Sequence, residues 1–229
     1  MPRDATGTRE RLLREAERLF ASRGVHQATM REITEAAGQR NASALTYHFG
    51  SREGVLWAIL QRHNEPVDAE RGQLLAEPAE EMATRDLVSA LLVAYAGRLA
   101  SSEGRDYLRV VAQLTDLFPT WRDGPLSPPY LRRILGILES RVPGVPAVRR
   151  DRVLNAVMLI TAAFAERAKV VEEGGAPELE EPAFLANLAD MLVSGLEAPV
   201  GPPVPRRVAR RRPHRPRRLP ETIRGGSER

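Results

Sequence analysis

Apolar positions along this 229-residue chain recur mostly at intervals of three and four, the spacing that lines one face of an α-helix. Leu12, Ala16, Leu19 and Phe20 make the first stripe, with Thr8 as its predicted cap and Gly24 as its stop. Met30, Ile33 and Ala37 make a second, shorter one. Thr29 and Glu32 ahead of it have capping-box spacing: the Thr side chain takes a first-turn N–H and the Glu reaches back to the Thr N–H. Gly38 then closes that helix. Leu45 and Phe49, an i, i+4 apolar pair, predict a third short helix beginning near Asn41 or Ser43. Ser51 caps the next, which carries Val55, Leu56, Ile59 and Leu60 and either fades near Pro66 or continues to Leu75.

The stripes go on downstream. Val88, Leu91, Leu92, Tyr95 and Leu99 form one, and Tyr107, Val110, Val111, Leu114 and Phe118 another, stopped by Pro119. A Pro-rich loop separates these from Leu131, Ile134, Leu135 and Leu138, which end before Pro143. A long helix is predicted over 146–173, terminated by Gly174-Gly175, and a last one carries Phe184, Leu185, Leu188, Met191, Leu192 and Leu196. Nowhere does period-two alternation bounded by turn signals argue for a strand. The expected fold class is all-α.

The second and third helices, joined by a short Gly-containing turn, have the layout by which a protein offers a helix to the DNA major groove. The string AERLFASRGVHQATMREITEAAG, followed by LTYHF and SRE, resembles the N-terminal DNA-binding domain of the TetR family of transcriptional regulators. Ala16, Leu19, Phe20, Gly24, Thr29, Ile33, Ala37, Gly38, Leu45, His48, Phe49, Arg52 and Glu53 fall in register with that family's pattern, over about residues 8–60. Two departures lie in the stretch that would read DNA. Six residues, 39–44, separate Gly38 from Leu45 where five are usual, and Thr46 replaces the usual Tyr, with Tyr47 one place later.

The resemblance implies about nine helices divided into a helix-turn-helix domain (6–62), a larger helical effector-binding and dimerisation domain (63–198) and a tail (199–229). It also implies that the helix holding Leu45 to Phe49 enters the major groove. Thr29, Tyr47, His48 and Arg52 would then grip backbone phosphates, with Met30, Arg31, Arg40, Asn41, Ser43, Ala44 and Thr46 completing the DNA-binding set.

Charge sharpens this division. The net charge is +4, but the tail holds ten Arg against Glu221 and Glu228, a net of +8, and residues 1–50 hold eight Arg against six acids, a net of +2. The middle, 51–198, is therefore left at −6. Basic ends and an acidic middle suit DNA contact at the ends and a regulatory or dimerisation role between them. Proline and arginine together predict a disordered tail, read either as a solvated extension or as a polybasic arm attracted to phosphates. There is no cysteine, which fits a reducing compartment. The first residues lack the apolar run of a signal peptide, and no stretch is long enough to span a bilayer, so a cytoplasmic protein with no membrane partner is expected.

The middle stripes place Tyr95, Leu99, Leu114, Phe118 and Met158 where they can converge, with Trp121 and Tyr130 in the Pro-rich loop nearby. They are the candidate lining of an effector pocket for a small, hydrophobic or lipophilic-cation molecule. Val157, Phe164, Leu188 and Leu192, on the last two helices, are the candidate homodimer interface, since two such helices paired about a two-fold axis make a four-helix bundle. Catalysis finds no footing. His26, His48, His63 and His214 lack metal-ligand spacing, and no nucleophile elbow, P-loop or dinucleotide fingerprint occurs. No enzyme activity, cofactor or metal is expected.

The expected function is a sequence-specific DNA-binding transcriptional regulator, a repressor that leaves a palindromic double-stranded operator when a small-molecule effector binds. The alternative is a helical small-molecule-binding enzyme or carrier whose N-terminal helices are structural. A third possibility is an architectural DNA binder without an effector.

Overall fold

The computed structural model describes residues 5–41, 43–115 and 128–202. Among these lie nine α-helices: α1 (Ala5–Arg23), α2 (Met30–Ala36), α3 (Ala44–Phe49), α4 (Arg52–Leu74), α5 (Thr84–Ala96), α6 (Ser102–Val111), α7 (Pro129–Arg141), α8 (Pro146–Glu172) and α9 (Glu181–Glu197). Two 3₁₀ turns, Ala79–Glu81 and Gly97–Ala100, flank α5. Phe118, Trp121 and the tail from residue 203 lie outside the described residues.

Most helix ends follow local chemistry. The capping box at α2 is formed in full: Glu32 N donates to Thr29 Oγ1 at 3.2 Å and Thr29 N to Glu32 Oε2 at 2.8 Å. Gly38, at φ +68°, ends α2 in the left-handed conformation that a side chain resists. Ser51 Oγ accepts the Gly54 N–H at 3.1 Å to start α4. The end of α8 is closed by Gly174 N to Val171 O and Gly175 N to Val170 O, at 3.1 and 2.9 Å.

Three boundaries differ from expectation. Helix α1 begins at Ala5, upstream of Thr8, whose hydroxyl instead accepts from Arg11 Nη2. Helix α6 stops at Val111, short of Leu114 and Phe118. The Gln113 side chain donates to Arg109 O at 3.1 Å, occupying a carbonyl that further helix would have used. The stripe ending at Leu99 breaks at Ala96 into the 3₁₀ turn, after which Ser101 caps α6 by accepting the Gly104 N–H.

Helix α4 runs unbroken through the expected domain boundary at 62/63, with Pro66 inside it. Pro66 has no N–H to give the Arg62 carbonyl, so α4 carries one missing rung. A single apolar cluster extends from Leu12 in α1 to Leu196 in α9. The first three helices therefore share a continuous core with the larger body, α4 and α6 bridging them.

That core changes the reading of the last two helices. Phe164 is fully buried, and Leu188 and Leu192 are 4% and 3% exposed within a single chain. Phe164 packs edge-on against Tyr95 and Phe184, with ring centroids 5.7 and 5.2 Å away. These three are buried within the single chain, and Val157 is half-buried. The apolar side chains that α8 and α9 leave exposed are Leu159 and Met191.

Candidate nucleic-acid interface

The interface is built on a small apolar centre. Leu13, Ala16, Phe20, Val25, Ala28, Ile33, Ala37 and Leu45 are all buried, which fixes α2 and α3 against α1. Gly54 allows the next turn: a Cβ there would fall 1.9 Å from the Phe49 carbonyl oxygen, so only glycine lets α4 start this close to the end of α3. With Leu45 inside, the opposite side of α3 faces water. Thr46 is exposed, Tyr47 is 83% exposed and His48 is half-buried. Tyr47 is the barest large hydrophobic side chain among the described residues. Tyr47 and His48 meet edge-on, with centroids 5.1 Å apart.

The other predicted contacts separate into free and engaged groups. Arg40 is exposed, with no ion-pair partner among the described residues. Arg31 is exposed, but its Nε donates to Glu35 at 2.7 Å. The Thr29 hydroxyl donates to Glu32 Oε2 at 2.8 Å, so its proton serves the capping box. Those Thr29 bonds, backbone N–H first, hold the Glu32 carboxyl below its ordinary range, with Arg23 helping from 2.5 Å. Asn41 Oδ1 accepts from both Ser43 N and Ser43 Oγ, at 3.0 and 2.7 Å, fixing the turn into α3. Met30 and Ala44 are half-buried against the core and serve packing.

Arg52 is a correction. Its Nη1 donates to Val25 O at 2.6 Å and Ala28 O at 2.5 Å. The guanidinium thus braces the turn between α1 and α2 instead of lying on the surface for phosphates.

Residues 12–59, which contain this arrangement, match the family model of bacterial regulatory proteins, tetR family. They form a TetR-family helix-turn-helix domain.

The chain is also similar to solved structures over most of its length. NalD of Pseudomonas aeruginosa, the secondary repressor of the MexAB-OprM multidrug efflux pump, is 19% identical, with a TM-score of 0.53 over 85% of this chain and 98% of its own. A putative TetR-family regulator from Rhodococcus sp. is 16% identical, with a TM-score of 0.46 over 84% and 100% of the two chains. One from Shewanella sp. PV-4 is 15% identical, with a TM-score of 0.48 over 81% and 95%. The NalD match shows a shared fold that continues beyond residues 12–59 into the larger domain. No curated protein matches the sequence.

Sequence reasoning missed the residues that couple the TetR domain to the rest. Gln113, just past α6, accepts from Val25 N at 2.8 Å and donates to Phe20 O at 3.0 Å. His63 of α4 lies with Nε2 2.5 Å from Glu17 Oε1 of α1, an approach off the line of a well-directed hydrogen bond. The His63 ring stacks on Tyr107 of α6 at 4.5 Å, and the Tyr107 hydroxyl donates to Asn64 at 2.8 Å. None of these pairs carries a local pattern, because each spans more than forty positions.

Tyr95, Leu99 and Leu114 are buried in the core, and Met158 is half-buried on α8. Tyr130 borders a cleft of about 520 Å³, also lined by Gln61, Asn64, Glu65, Asp68, Ala69, Pro128 and Pro129. A second, wholly apolar crevice between α5, α7, α8 and α9 leaves only about 10 Å³, room for about one water. Among the described residues no three or more His, Asp and Glu side chains cluster as a metal would need. No described helix is long and apolar enough to cross a membrane.

Proposed function

We propose that the protein is a homodimeric transcriptional repressor that reads a palindromic operator through α3 and lets go when a small molecule binds its larger domain. The observation that carries this reading is the bare outer face of α3 on a TetR-type domain, with Thr46 and Tyr47 exposed opposite a fully buried Leu45 and His48 half-buried beside Tyr47. Reading heads in such a dimer must sit about 34–36 Å apart to meet successive major grooves, so a small change in their separation costs much affinity.

Dimerisation is proposed through α8 and α9, on the side that bears Leu159 and Met191. These are 37% and 53% exposed, and Ala162, Asn187 and Gly195 nearby are also exposed and small or neutral. Packed about a two-fold axis, four such helices would cover both apolar side chains.

The effector is proposed to enter the cleft between α4 and the start of α7. Its volume is within the usual range for small-molecule sites. Its walls combine Pro128, Pro129 and the Tyr130 ring with Gln61, Asn64 and Glu65, which fits a hydrophobic molecule with a polar or cationic end. Asp68, on the same wall, accepts the Tyr130 and Leu131 N–H groups at 3.0 and 2.8 Å. A ligand wedged there would press on α4, the helix whose other end seats the reading head.

Operator selection from a random duplex pool, followed by gel shift, tests the reading. A recovered palindrome bound by a dimer, and released by hydrophobic cations, is the expected result. No sequence enrichment, with turnover of a small molecule instead, would support the enzyme or carrier alternative.

A further inference from the structure

Helix α1 turns five arginines to solvent, Arg9, Arg11, Arg14, Arg18 and Arg23, and one of them is held differently. Arg18 is spent on Glu15, through Nε and Nη2 at 3.0 and 2.8 Å. Arg11 gives Nη2 to the Thr8 hydroxyl. Arg9 instead rests over an aromatic ring of the third helix, its Cζ 4.9 Å from the centroid of Phe49. The Phe49 ring is itself packed against the core, so it is a fixed seat. The nearest carboxylate, Glu10, is 3.7 Å from Arg9 and is also shared with Arg62 at 3.9 Å. The Arg9 side chain remains 45% exposed.

Phe49 is also the last member of a row. Tyr47 meets His48 at 5.1 Å and His48 meets Phe49 at 6.3 Å. Arg9 thus rests on the last of three successive rings at the C-terminal end of α3. A guanidinium lying on a ring keeps N–H groups free for oxygen acceptors, and in a fixed seat it loses less rotamer freedom on binding. Two oxygens of one phosphate suit its donor geometry.

We propose that Arg9 is a phosphate-binding residue, seated by Phe49 so that it grips the DNA backbone at the C-terminal end of α3. This rests on the reading of α3 as the DNA-contacting helix, and adds α1 to the contact surface.

The test uses the full chain and a labelled random-sequence duplex, with affinity followed across a salt titration. A single phosphate contact is worth about 0.9 in the slope of log affinity against log salt. Arg9→Ala is expected to weaken binding and lower the slope by about that amount. Arg9→Lys should keep the slope and lose part of the affinity. Phe49→Leu, which keeps apolar bulk but removes the ring, should fall between wild type and Arg9→Ala. Circular dichroism confirms that each variant is folded, and Arg9→Lys gives the reading if the alanine variant is not. Wild-type affinity and slope in folded Arg9→Ala, beside a wild type that does bind DNA, overturns the proposal alone. Failure of the wild type to show salt-dependent binding overturns it together with the reading of α3. A Phe49→Leu variant indistinguishable from wild type refutes the seating by Phe49.

Discussion

Gln113 Oε1 accepts the Val25 N–H at 2.8 Å, so a residue just beyond α6 holds the turn that leaves α1. The same amide donates to Phe20 O and Arg109 O. Replacing it by Glu keeps the acceptor but sets a carboxylate against two carbonyls. Gln113→Glu is expected to cost about 1–3 kcal/mol, the range for stranding part-buried polar groups. Urea unfolding measures the loss, and a stability equal to wild type would show that the hook is incidental.

Tyr47 and His48 carry the second prediction. Phosphate contacts position a protein without reading sequence. Tyr47→Ala with His48→Ala should therefore weaken all duplexes about equally. Anisotropy titrations on matched and scrambled duplexes separate this from base reading, which would cut the preference between them.

Arg52 should behave differently. Its donations to Val25 O and Ala28 O are intramolecular. Arg52→Ala should lower stability by about 1–3 kcal/mol, since the bonds lost are to a charged donor. The salt slope should stay at the wild-type value in the folded variant. A lowered slope with unchanged melting would return Arg52 to the phosphates.

The contrast between these residues shows what the sequence could reveal. Thr29 with Glu32, Ser51 before Gly54 and Gly174-Gly175 act within a few positions, so spacing alone exposed them. The α2 and α3 register followed from Leu45 and Phe49, whose apolar faces must turn inward and so turn Tyr47 outward. Arg52 and Gln113 were illegible because their carbonyl and N–H partners lie 24 to 93 positions away. Phe164, Leu188 and Leu192, buried within the single chain, pose a different question. A stripe buried in a monomer core and one buried in a dimer have the same period, and only packing tells them apart.

That distinction yields a fourth prediction. Met191→Glu places a charge on an exposed residue of α9 and is expected to give a folded monomer in sedimentation. Phe164→Ala, in the core, should instead cost about 3–5 kcal/mol of stability. A Met191→Glu protein that stays dimeric would move the interface elsewhere.

The fifth concerns pH. Burial, then the nearby Glu17 carboxylate, raises Asp106 from 3.8 to about 6. A carboxyl raised in the folded state binds protons there more readily than in the unfolded chain, so stability falls as pH climbs from about 4 to about 6. Above that range the ionised group is a standing cost. Asp106→Asn should stabilise the protein at pH 7 by on the order of 1 kcal/mol, allowing for partial exposure to water. The gain should vanish below the ordinary carboxylate range. Melting temperatures across pH decide it, and a gain independent of pH would assign the effect to packing.

Helix α4 has a mechanical consequence. Its 23 residues make a rod about 34 Å long, with its one missing rung at Pro66. A rod with a single soft point is a lever with a fulcrum. Arg52 sits about 21 Å from Pro66 along the axis, so a bend of about 5° there sweeps the reading-head end through roughly 2 Å. The cleft beside Gln61, Asn64 and Asp68 lies across that fulcrum, where a small displacement of the helix gives the largest swing at its far end. Stiffening the joint by Pro66→Ala should leave the head seated and blunt the response to any ligand, which makes this proline a handle on sensitivity separate from affinity.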